Sequence, residues 1–208
     1  MKEERMDEIL EEAVQSVILG LSGHAGVESK VVSRGKFELF FHLELIKELK
    51  ALEKSISVWS EVELLVKTGK KGRTVDLVIE YSGCYHLVEV KMILSNYEHD
   101  SHGWVRGKTV ALTDAIDGFI HDVFKSKGES LVIGPDHQVV AESCYSVGVV
   151  YPMPISDAHQ RRWQKQVDKM NDVKGASLMG NPTAGANRIQ VSFSQGSVPF
   201  GWYLLKSD

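Results

Sequence analysis

Apolar positions recur at helical spacing near the start of the chain, where Leu10, Val14, Val17, Ile18 and Leu21 share one stripe and predict an amphipathic helix over 3–19. A Gly- and Ser-containing connection over about 20–35 follows. Phe37, Phe40, Phe41, Leu45 and Leu49 then predict a second helix over about 36–54. Ser55 to Val66 alternates as a strand does, and Thr68-Gly69-Lys70-Lys71-Gly72 reads as a turn. Arg73 to Met92 reads as two short strands, mostly β-branched and aliphatic, joined at Ser82-Gly83. Beyond the polar loop Asn96–Gly107 a helix of about twenty residues is expected, with Leu112, Ile116, Phe119, Ile120 and Val123 inward. Cys144 to Tyr151 is a further buried strand, closed by Pro152 and Pro154. A basic helix over about 157–173 opens at Ser156 or Asp157 as N-cap. Gly175 to Asn187 reads as a loop, and Arg188–Phe193 with Gly201–Lys206 as a closing hairpin. The order helix, three strands, helix, strand predicts an α/β protein.

The Arg73–Met92 segment carries acids where a strand favours none. A two-residue loop at Ser82-Gly83 sets Tyr81 opposite Cys84 and therefore Asp76 opposite Glu89. Their Cβ atoms would then lie roughly 4.5–5.5 Å apart on one face. Lys91 follows Glu89 on that face, because strand side chains alternate. Facing carboxylates destabilise a sheet unless a positive group lies between them. Two hard oxygen donors at that spacing suit Mg²⁺ or Mn²⁺, with the ammonium at the rim. The structural alternative is an exposed sheet face with an ordinary Glu–Lys pair.

Asp76, twelve further residues and Glu89-Val90-Lys91 together resemble the D…ExK signature of the PD-(D/E)XK nuclease superfamily. Arg34-Gly35-Lys36-Phe37-Glu38-Leu39 resembles the stretch where some members carry a metal-directed glutamate on the first helix. Val75 stands where the signature often has proline. The pattern covers residues 34–151. The resemblance implies a restriction-endonuclease-like αβββαβ core, with a mixed central sheet flanked by helices. To this it adds an N-terminal helix (1–33) and a C-terminal helix and hairpin (152–208), all in one domain. It further implies a Mg²⁺- or Mn²⁺-dependent endonuclease acting on DNA. In it Asp76, Glu89, the Val90 carbonyl and Glu38 would serve the metal, and Lys91 the attacking water. A homodimer is expected, since two strands need two sites. The alternatives are a non-catalytic nucleic-acid-binding or assembly subunit of the same fold, and an unrelated α/β interaction protein.

Composition adds less. The 208 residues suffice for one domain with a sizeable core. No apolar run approaches the length that spans a bilayer, so no membrane partner is expected. The opening Met-Lys-Glu-Glu-Arg-Met-Asp-Glu is too acidic for a signal peptide. Two cysteines in separate apolar segments, Cys84 and Cys144, fit a reduced cytoplasm. A net charge of -4 disfavours indiscriminate nucleic-acid binding but leaves room for a basic face. Lys70, Lys71 and Arg73 at the turn before Asp76, Arg106 before the long helix, and Arg161, Arg162 and Lys165 on the basic helix are the candidate phosphate contacts. Glu98-His99-Asp100-Ser101-His102 reads as a polar loop, and His24, His42, His86, His121, His137 and His159 show no convincing partner spacing.

Overall fold

The computed structural model describes residues 2–23, 34–65, 74–95, 112–125, 130–133, 137–154, 156–179, 187–193 and 196–207. Helix α1 (Lys2–Gly20) leads through a short 3₁₀ turn, Leu21–Gly23; after residues outside the description comes helix α2 (Arg34–Leu52). Strands β1 (Ser57–Leu65), β2 (Thr74–Tyr81) and β3 (Cys84–Leu94) form an antiparallel meander. Helix α3 (Leu112–Asp122) precedes β4 (Ser130–Ile133), β5 (His137–Val140) and β6 (Ser143–Tyr151). Helix α4 (Asp157–Asn171) is followed by β7 (Ala176–Met179), β8 (Arg188–Phe193) and β9 (Gly196–Ser207). The nine described strands make one mixed, open sheet in the order β5-β4-β1-β2-β3-β6-β9-β7, with β8 also on β9. Only the β3–β6 pair among them is parallel, with α3 in the crossover between its strands. The protein is α/β, with helices on both faces of the sheet.

Strand parity decides which helices each face meets. Leu77, Ile79, Val88, Val90, Met92, Tyr145 and Val147 pack with α1 and α2. Ile93, Val150, Tyr203 and Leu205 pack with α3 and α4 instead. The expected inner stripe of α3 is borne out, with Ile116, Phe119 and Val123 fully buried. Trp163, Val167 and Met170 bury the inner side of α4, and the Trp163 indole N–H donates to Tyr203 Oη at 2.7 Å. Ser156 is the N-cap, its hydroxyl accepting from the His159 N–H at 3.3 Å. Helix α1 is tied to the sheet on the α2 side: Asp7 accepts from Tyr145 Oη at 2.6 Å and from Lys206 Nζ at 3.0 Å.

Four expectations need correction. Helix α3 spans 11 described residues rather than about twenty. Beta strands 4 and 5 form a hairpin between α3 and β6 that propensity did not reveal, because each is only 4 residues long. It pairs with β1 and lengthens the sheet. Ala176–Met179, expected as loop, is the edge strand β7, recruited by the last turn of β9. Beta strand 9 begins before the expected Gly201, which is where it passes from β8 to β6 as partner.

Gly148 of β6 sets how closely α3 approaches. A Cβ there would lie 2.9 Å from Phe119 Cε2 and 3.1 Å from Ile93 Cδ1, too close for either to keep its place. Gly148→Val is therefore expected to cost about 2–3 kcal/mol by overpacking, read as a lower urea midpoint at unchanged slope. A loss under about 0.5 kcal/mol, the usual range for neutral surface changes, would mean that this helix–sheet contact is loose.

Candidate active site

Ser82 and Gly83 both take positive φ, 53° and 80°, as a type I′ hairpin loop requires. The pairing runs as the loop dictates, from Tyr81 with Cys84 to Leu77 with Val88. Asp76 and Glu89 are the next positions outward. There the ladder gives way, and Asp76 Oδ2 accepts a hydrogen bond from the Val90 backbone N–H at 2.7 Å. The β1–β2 register skips the same level: Ser60 pairs with Leu77 and Val62 with Val75. Glu61, between them, has φ 52°. Three consecutive strands thus carry an acid at one level, and the regular ladder is interrupted on both sides of Asp76.

Glu89 is 6 % exposed, so its row is not the solvated sheet face of the structural alternative. Burial first, and the neighbouring Asp76 carboxylate second, push its pKa up to about 7. Lys125, just past the end of α3, opposes this with its Nζ 3.2 Å from Glu89 Oε1. Lys91 turns to a different acid: its Nζ donates to Asp122 Oδ2, the last residue of α3, at 3.0 Å. The motif glutamate and lysine are therefore each paired with the α3 end and not with one another. Ser146 is the parallel neighbour of Glu89 on β6, and its buried hydroxyl has no hydrogen bond among the described residues.

The opposite helix layer contributes His42. Its Nε2 is buried, lies 3.8 Å from Asp76 Oδ2 and makes no hydrogen bond among the described residues. Glu38 sits one turn earlier on the same face of α2, half-buried. Among the described residues no three His, Cys, Asp or Glu side chains gather closely enough to hold a metal ion together. The carboxylate pair is present without a third side-chain ligand beside it.

No family model, curated protein or solved structure matches this chain.

The other expected residues divide in two. Arg161, Arg162 and Lys165 are exposed on α4, and Lys169 pairs with Asp117 of α3. Lys70, Lys71, Arg73 and Arg106 lie outside the described residues, as does the Glu98–His102 loop. Val90 keeps its side chain in the core, as expected, with 3 % exposure. Four participants escaped the sequence reading: Glu61, His42, Asp122 and Lys125. The four-residue spacing of Glu38 and His42 was the one local signal, since it places both on one helix face. His86 also has a partner, with Nδ1 2.7 Å from Ser143 Oγ in a buried contact.

Proposed function

We propose that this chain is a divalent-metal-dependent endonuclease of the PD-(D/E)XK type, with DNA as substrate. One observation carries the reading: a buried carboxylate, Glu89, stands beside a second one, Asp76, where the sheet ladder is interrupted. Lys125 gives Glu89 one cation, yet burial and the Asp76 carboxylate still push the Glu89 pKa up to about 7, so that one lysine does not offset the two acids. Apart from the inserted β4–β5 hairpin, the element order helix, three-strand meander, helix, parallel strand supports a restriction-endonuclease-like core.

The donor set suits a hard cation. Mg²⁺ is commonly held by one or two carboxylates and keeps several waters, so a third protein carboxylate is not required. Asp76, Glu89 and the Val90 carbonyl would hold it, with Glu38 reaching it through water. When bound, the ion neutralises charge on the scissile phosphate and makes a bound water more acidic. Lys91, anchored by Asp122, orients the attacking water and stabilises charge gathering on the phosphate oxygens. Water oxygen forms the new bond to phosphorus, its proton passes to solvent, and the sugar oxygen leaves with the electron pair of the broken P–O bond.

Arg161, Arg162 and Lys165 lie on the helix that packs beside α3, on the sheet face that carries Glu89 and Lys91. They supply phosphate contacts there, and a homodimer supplies a site for each strand. Replacing Arg161, Arg162 and Lys165 together by alanine is expected to weaken duplex binding across unrelated sequences. It should reduce the slope of log affinity against log salt by about 2–3, as read by fluorescence anisotropy in Ca²⁺. An unchanged slope would remove α4 from the interface.

The internal pairing of Glu89 with Lys125 and Lys91 with Asp122 favours one competing reading, a retired site kept for binding. The deciding experiment incubates supercoiled plasmid, linear duplex and single-stranded DNA with the protein in Mg²⁺, Mn²⁺ or EDTA. Cutting that needs the metal supports the nuclease. Metal-independent binding without cutting of any substrate supports the retired site.

A further inference from the structure

Four charges meet where the end of α3 touches β3: Glu89 and Asp122 are negative partners of Lys125 and Lys91. These four offset one another, and the Asp76 carboxylate beside Glu89 leaves one negative charge over. Adding a divalent cation at Asp76 and Glu89 brings two positive charges into a place where an ammonium already lies 3.2 Å from a Glu89 oxygen. Both cannot hold that oxygen, because like charges at a few ångströms in a partly buried site repel strongly.

We infer that Lys125 is the resident counter-ion of this site, occupying Glu89 until a divalent ion replaces it, so that lysine and metal compete for one carboxylate. This rests on the reading of Asp76 and Glu89 as metal ligands. The geometry suits an exchangeable group. The Glu89 side chain is 8 % exposed and held in the sheet, whereas Lys125 is 28 % exposed and sits in the turn after α3, on a flexible four-carbon stem. Lys91 is kept out of the exchange by Asp122, which leaves it in place through metal binding. The consequence is a deliberately weakened metal affinity.

The test is Mn²⁺ titration by calorimetry in the absence of DNA, with wild type, Lys125→Met, Lys125→Arg and Asp76→Asn. Lys125→Met is expected to bind Mn²⁺ about tenfold tighter, since the competing charge is gone. Its metal-free melting temperature should fall and be restored by Mn²⁺, while Lys125→Arg stays near wild type. Should Lys125→Met fail to fold, Lys125→Gln takes the same role. Mn²⁺ binding that depends on Asp76 but is unchanged or weaker in Lys125→Met or Lys125→Gln overturns the inference and leaves the nuclease reading standing. Absence of Mn²⁺ binding in wild type and in both neutral variants overturns the two together.

Discussion

Lys91→Ala is expected to lower metal-dependent DNA cleavage by about 10²–10³-fold or more, the usual effect of losing one preorganised group that stabilises developing charge. The structure adds a second consequence, because Lys91 is the ion-pair partner of Asp122, whose side chain is only 13 % exposed. Losing that partner is expected to cost about 1–3 kcal/mol of stability, so a dead Lys91→Ala enzyme alone does not separate chemistry from folding. The double variant Lys91→Ala with Asp122→Asn does. Removing the orphaned charge should restore much of the lost stability in urea titrations, while cleavage stays absent. Recovery of cleavage in the double variant would show that Lys91 acts only by balancing Asp122, and its catalytic role would be lost. Asp122→Asn by itself should keep the fold and reduce cleavage less than Lys91→Ala, since it releases Lys91 without deleting it.

Glu89→Gln should make the metal-free protein more stable and inactive at once. The Glu89 carboxyl has an ordinary pKa of 4.5 and rises to about 7 in the fold. A group with a raised pKa binds more protons folded than unfolded, so stability falls as pH climbs from about 4.5 to about 7. Above that window the ionised carboxylate destabilises the fold. Glutamine carries no such charge. In EDTA, the stability advantage of Glu89→Gln over wild type is expected to be small at pH 5 and to grow to a plateau by about pH 8. Chemical denaturation at three or four pH values measures it. A variant less stable than wild type at pH 8 would make Glu89–Lys125 a net-stabilising structural pair, and the main support for the active site would fall. Gain of stability on removing a side chain, joined to loss of activity, is the usual mark of a group retained for function.

Much of this was legible in residues 73–92 because the physics there is local. Serine and glycine at 82 and 83 admit positive φ, and a two-residue loop fixes the register from Tyr81–Cys84 to Leu77–Val88, one position short of Asp76 and Glu89. Periodicity likewise placed the buried stripes of α1, α2 and α3, since side-chain spacing on a helix needs no partner to be read. The β4–β5 hairpin and the β7 edge were beyond its reach, because 4-residue strands owe their existence to the neighbours they pair with.

The charge partners lay further still from the sequence. Lys91 follows Glu89 by two residues and looks like its natural counter-ion, yet each pairs with a residue more than thirty positions away, a choice made by the docking of α3. That docking depends on the missing side chain at Gly148, which lets Phe119 lie against the sheet and carries Asp122 and Lys125 to β3. His42 meets Asp76 only because α2 covers the face opposite α3 while the parted strands leave the Asp76 carboxylate within its reach. A turn two residues long determines register by itself; which charges neutralise one another is settled only when distant elements are packed, because short-range attraction acts between whatever groups the core brings within a few ångströms.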